Sequence, residues 1–184
     1  MSSGPDDPPV GLIMAQIMLP FLVVMVTGEV TVRGKENLFI YRKTPFGVGR
    51  YVKAMLLKGW LMTVPIAGAV TAVITILGSQ TTFISLLTNT GLMMLMVAAN
   101  VAFVLGLFLV NPAFSAKSIK LFLNRMIAMF VSIGLFMVSL LVLTGSRSEP
   151  IGGLLGVLLF QTPLSWIVGV VFLSLGKRNL SRIE

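Results

Sequence analysis

The chain has 184 residues, of which 56% are hydrophobic and 11% charged, with a formal net charge of +8. Soluble domains carry about 25% charged residues, so this composition excludes an ordinary soluble fold and points to an all-α, polytopic membrane protein. The chain has no cysteine and no histidine, which removes disulfides, thiolate chemistry and the commonest general base.

The N-terminal MSSGPDDPPV is acidic and Pro-rich, unlike the basic start of a secretory signal, so the first apolar run reads as a retained span. Five spans are expected: about 10–27, 54–77, 82–110, 126–144 and 151–175, each near the roughly 20 residues a bilayer requires. Pro20, Pro65 and Pro163 fall inside the first, second and fifth, where each removes a backbone donor and should kink the helix. The chain reads as a single transmembrane domain, 1–184, with no soluble domain and no internal repeat.

The linkers alternate in charge. The first holds Arg33, Lys35, Arg42, Lys43, Arg50 and Lys53, with Lys58 just inside the next span. The second, around Gly78–Gln80, has no basic residue; the third holds Lys117, Lys120 and Arg125. The fourth holds Arg147 beside Glu149, and the C-terminal tail holds Lys177, Arg178 and Arg182. Every Lys and Arg except Arg147 thus falls on one side of the membrane. Because basic loops stay cytoplasmic, the expected topology is N-terminus outside and C-terminus in the cytoplasm of a multi-pass cell-membrane protein. The net positive charge suits orientation and anionic membrane lipids, with no nucleic acid partner.

The acidic residues are Asp6, Asp7, Glu29, Glu36, Glu149 and Glu184, and none lies within an expected span. Intramembrane carboxylate relays and proteolysis are therefore not expected, and no catalytic residue, metal ligand or cofactor-binding residue is assigned. The polar groups that do enter the spans are neutral. Asn89 and Asn100 are about three helical turns apart on one face, and Gln161 and Ser165 flank Pro163. They line a translocation path or join helices by hydrogen bonds, and helix joining is the favoured reading. Gly152 and Gly156 form a small-xxx-small pair.

The segment 28–53 is far longer than a turn needs. It mixes Leu38, Phe39, Ile40 and Tyr41 with charges, as a short interfacial amphipathic helix would. Thr44 and Pro45 then supply a helix start, from which one helix can run through Arg50 and Lys53 into the second span. Gly34, Glu36, Leu38, Thr44, Pro45 and Lys53 together resemble the cytoplasmic loop of type 2 ATP-binding cassette (ABC) exporter permeases. In that family a Gly–x–x–Glu–Leu-like stretch, a Thr–Pro and a Lys at the start of the next span form the coupling helix. NPAFSAKSIKLFLNR is similar to the next cytoplasmic loop of such permeases.

The resemblance implies a membrane-spanning permease component that couples ATP hydrolysis on a separate cytosolic ABC ATPase to substrate movement. It also implies a second permease chain or half as dimer partner. Arg33, Arg42, Lys43 and Arg50 would join the matched residues as the ATPase contact surface. No GxxxxGK[ST] phosphate loop is present in this chain, so ATP would bind only the partner, and the chain itself is not expected to be an enzyme. A permease half of this family has six spans, so the five found here correspond to its C-terminal five. The alternative expectation is a non-catalytic structural or assembly subunit of a membrane complex.

Overall fold

The computed structural model describes residues 10–33, 47–77, 82–112, 119–145 and 154–182. They form five helices: α1 Val10–Arg33, α2 Gly47–Leu77, α3 Phe83–Val110, α4 Ile119–Gly145 and α5 Leu154–Arg182. Each is long and apolar enough to cross a membrane. Helix is what these runs must adopt there, since a bilayer offers no partner for unpaired backbone groups. Pro20, Pro65 and Pro163 lie inside α1, α2 and α5 without ending them.

The helices outlast the apolar stretches that announce them. α1 continues to Arg33, α2 begins at Gly47, α4 begins at Ile119 and α5 runs on to Arg182. At 31 residues, α2 is about 46 Å long, against a hydrocarbon core of about 30 Å. Its basic first turns therefore project beyond the apolar layer. α3 starts in a capping box, in which the Thr82 hydroxyl accepts from the Ser85 N–H and the Ser85 hydroxyl from the Thr82 N–H.

α3 is the central helix, and every residue from Ala99 to Leu109 is buried. Its closest neighbour is α5. A Cβ built on Gly169 would meet the Ala99 carbonyl oxygen at 2.8 Å, and one on Gly176 would meet the Gly106 carbonyl oxygen at 2.7 Å. Both contacts advance by seven residues, so the two helices run parallel, backbone against backbone. Phe103 and Phe172 meet edge to face at 5.1 Å beside this seam. Lipid is as apolar as leucine, so helices in a membrane gain from close van der Waals approach, and small residues permit it.

α2 runs antiparallel to α3, with Gly59 against Val101 and Gly68 against Met94. The Trp60 indole N–H donates to the Ala98 carbonyl at 2.9 Å and the ring meets Trp166 of α5 edge to face. α1 packs its Gly11 on Ile74 of α2, and its Gly28 on Phe108 of α3 and Arg125 of α4. α4 is the most peripheral helix. Its Phe122, Phe130, Ile133, Met137 and Leu141 are exposed, as a lipid-facing stripe would be.

These contacts bring the ends of α1, α3 and α5 together with the starts of α2 and α4. The Lys and Arg residues among the described residues lie at this end of the bundle, except Lys58, which sits deeper, beside the Gly59–Val101 contact.

Candidate functional site

The expected coupling surface falls partly within the described residues. Arg33 closes α1, exposed, with its Nε donating to Glu29 Oε1 at 2.8 Å. Such an exposed i,i+4 pair contributes only about 0.3–0.5 kcal/mol. Arg50 and Lys53 are exposed on the first turns of α2, three residues apart and so on one side of the helix. Gly34, Glu36, Leu38, Arg42, Lys43, Thr44 and Pro45 lie outside the described residues. The Gly152–Gly156 pair likewise has its first member outside them.

Behind the basic face of α2 is an apolar plug. Tyr51, Val52 and Met55 are buried against Val30 of α1, Leu105 and Leu109 of α3 and Leu180 of α5. The start of α2 thus shows charge outward and an anchored apolar side inward. Displacing it would be felt by three other helices at once, because packed cores shift as units instead of deforming smoothly.

The basic end is also held by asparagines that the sequence reading did not single out. Asn111 Nδ2 donates to Asn124 Oδ1 at 3.0 Å, and Asn124 Nδ2 donates to the Asn111 carbonyl at 2.7 Å. Asn179 Nδ2 of α5 donates to the Val110 carbonyl at 2.7 Å. The last carbonyls of a helix have no partner within it, so α4 and α5 supply partners where α3 stops. An Asn at a helix end beside two basic linkers was the available signal, but the identity of its partners required the fold.

Deeper in the bundle, the expected polar residues separate into different surroundings. Gln161 accepts from Gln16 Nε2 at 3.0 Å, and both side chains are 1% exposed. Gln16 was not among the expected residues, although it is the only amide in the first apolar run. Ser165, one turn beyond Gln161 on the same face, is also 1% exposed. The buried Gln16 Oε1 and Ser165 Oγ atoms have no hydrogen-bond partner among the described residues. Asn100 is buried and pairs with Ser132 of α4 at a long 3.5 Å, and its Nδ2 has no partner among the described residues. Asn89 is half-buried in the less covered half of α3.

Five of the interior threonines behave differently. Thr31, Thr63, Thr71, Thr75 and Thr162 return their hydroxyl protons to the carbonyl four residues earlier. Their polarity is thereby absorbed within their own helices. The Gln16, Gln161 and Asn100 amides instead connect one helix to another, and Gln16 and Asn100 keep unused capacity among the described residues. Amides and hydroxyls can hold helices or receive a neutral polar group, but offer no strong base to activate a nucleophile. Among the described residues, no three His, Cys, Asp or Glu side chains gather as a metal ion would require.

No protein-family model, curated protein sequence or solved structure matches this chain.

Proposed function

We propose that this protein is the membrane-spanning permease component of an ABC-type exporter, worked by a separate ATP-hydrolysing subunit. The observation that carries the reading is the start of α2, with Arg50 and Lys53 exposed and Tyr51, Val52 and Met55 anchored in the bundle. In this reading the basic end faces the cytoplasm and the C-terminus lies inside. The ATPase engages Arg33, Arg50, Lys53 and the segment 34–46, which carries the Glu36 and Thr44–Pro45 motif. Closure of the ATPase around ATP pushes on the amino end of α2.

α2 has the means to pass that push on. It is one continuous helix, and Gly59 against Val101 and Trp60 against the Ala98 carbonyl couple it to the central helix. Movement of α3, with α5 locked to it, relative to α1 would part the seam in which Gln16 and Gln161 meet, uncovering spare polar groups to a passing substrate. Substrate movement would need no bond chemistry in the membrane. A second permease chain would complete the transporter.

The test is purification of the tagged full chain from its native membranes. The expected result is recovery of a Walker-motif ATPase, released by Arg42→Glu with Lys43→Glu and by Arg50→Glu with Lys53→Glu, while helix content is unchanged. An ATPase retained by both charge-reversed variants overturns the reading. The backbone-close α3–α5 packing favours a second reading, a static assembly subunit. Recovery of a membrane complex without an ATPase selects it.

A further inference from the structure

Arg125 belongs to neither the exposed basic face of α2 nor the amide pairs. It lies near the start of α4, between the buried residues Leu121, Asn124 and Ala128 in sequence, and is itself half-buried. Its guanidinium occupies the space that a side chain on Gly28 of α1 would fill. A Cβ there would be 3.2 Å from Nε, 3.3 Å from Nη2 and 3.5 Å from Phe108 Cζ. Among the described residues, the buried Nε atom has no hydrogen-bond partner. The neighbouring acid, Glu29, is exposed and engaged by Arg33. Next to Gly28, the buried Thr27 hydroxyl likewise has no partner among the described residues.

An arginine so placed is expensive without an anion, since a charge near the hydrocarbon needs compensation. Its planar fork of donors matches phosphate oxygens in particular. Beside it, α4 presents Phe122, Met126 and Phe130, exposed at successive i,i+4 steps and therefore aligned on one face. A phosphate head with apolar tails fits this combination, whereas a free anion would have no use for the apolar stripe.

We propose that the slot between α1 and α4 binds an anionic phospholipid, with Arg125 on its phosphate and acyl chain along Phe122, Met126 and Phe130. The lipid stabilises the α1–α4 contact at Gly28. This site stands independently of the coupling role and holds for an exporter or an assembly subunit alike.

The experiment is native mass spectrometry of the full chain in mild detergent, with phosphatidylglycerol and phosphatidylcholine of identical acyl chains supplied in equal amounts. The wild-type chain should retain phosphatidylglycerol preferentially. Arg125→Gln should cut that retention roughly fivefold, the scale of one basic contact at a membrane surface. Equal retention of the two lipids by the wild-type chain overturns the proposal without reference to any variant. Undiminished phosphatidylglycerol retention by Arg125→Gln overturns it as well. Displacement of the lipid by excess inorganic phosphate would assign the slot to small anions and overturn the lipid.

Discussion

The substitution Gly106→Ala tests the central packing most directly. A Cβ at this position would lie 2.4 Å from the Leu173 nitrogen and the Phe172 carbonyl carbon, and 2.7 Å from the Phe172 carbonyl oxygen. All three are backbone atoms, so no side-chain rotation relieves the overlap. Ordinary contact begins at 3.4 Å. α5 must therefore withdraw by about 1 Å, enough to forfeit a quarter to a half of the dispersion well at each contact along the seam.

The loss extends beyond one pair. Gly176 lies against the Gly106 carbonyl, Phe103 against Phe172 and Asn179 against the Val110 carbonyl, all on the same interface. Overpacking typically costs about 1–3 kcal/mol, and a backbone clash belongs at the upper end, about 3 kcal/mol. The control is Gly91→Ala, on the same helix, where a Cβ meets nothing within 4 Å. It should be neutral, or stabilising by up to about 1 kcal/mol through helix propensity. Unfolding in mixed micelles by denaturing detergent, followed by fluorescence of Trp60 and Trp166, reads both variants. Equal midpoints for the two alanines would refute the argument that backbone contact between α3 and α5 holds this bundle together.

Gln16→Leu should destabilise by about 1–3 kcal/mol, because it leaves the Gln161 amide buried and unpaired. Adding Gln161→Leu should recover part of that loss, with a coupling of about 0.6–1.7 kcal/mol in a double-mutant cycle; strict additivity would mean that the pair does not interact. Since the chain has no cysteine, single cysteines at Ser2, Ser79 and Ser146 should react with an impermeant reagent from outside, and one at Lys53 should not. Labelling of Lys53→Cys alone would reverse the orientation used in the proposed function.

The spans were legible because they are set by local composition. A run such as FISLLTNTGLMMLMVAANVAFVLGLFLV is apolar for longer than a bilayer is thick, and no tertiary contact is needed to make it a helix there. The helix ends were less legible, because α1, α2, α4 and α5 extend into charged sequence that hydropathy assigns to loops. The gathering of basic residues at one end was likewise readable, since alternation along a chain of spans becomes sidedness once the spans are antiparallel neighbours.

The amide positions show where local reading stops. Asn89 and Asn100 share a face by spacing, yet α3 is wrapped at Asn100 and less covered at Asn89, because its neighbours close around only one half. Gln161 stood out beside Pro163, while its partner Gln16 is 145 residues away, and only the fold joins them. Gly28 looked like the first residue of a linker, but it lies inside α1 and is the space that admits the Arg125 guanidinium.

Composition along the chain was thus enough for a membrane protein of five apolar helices with all its Lys and Arg but Arg147 on one side. Both follow from the energy of each residue in lipid or water. Tertiary structure alone decided that α3 is the centre, that α3 and α5 run backbone to backbone through Gly106, Gly169 and Gly176, and which buried polar groups meet. Those outcomes depend on shape complementarity between distant segments. In a solvent as apolar as the side chains, hydropathy cannot rank one pairing over another.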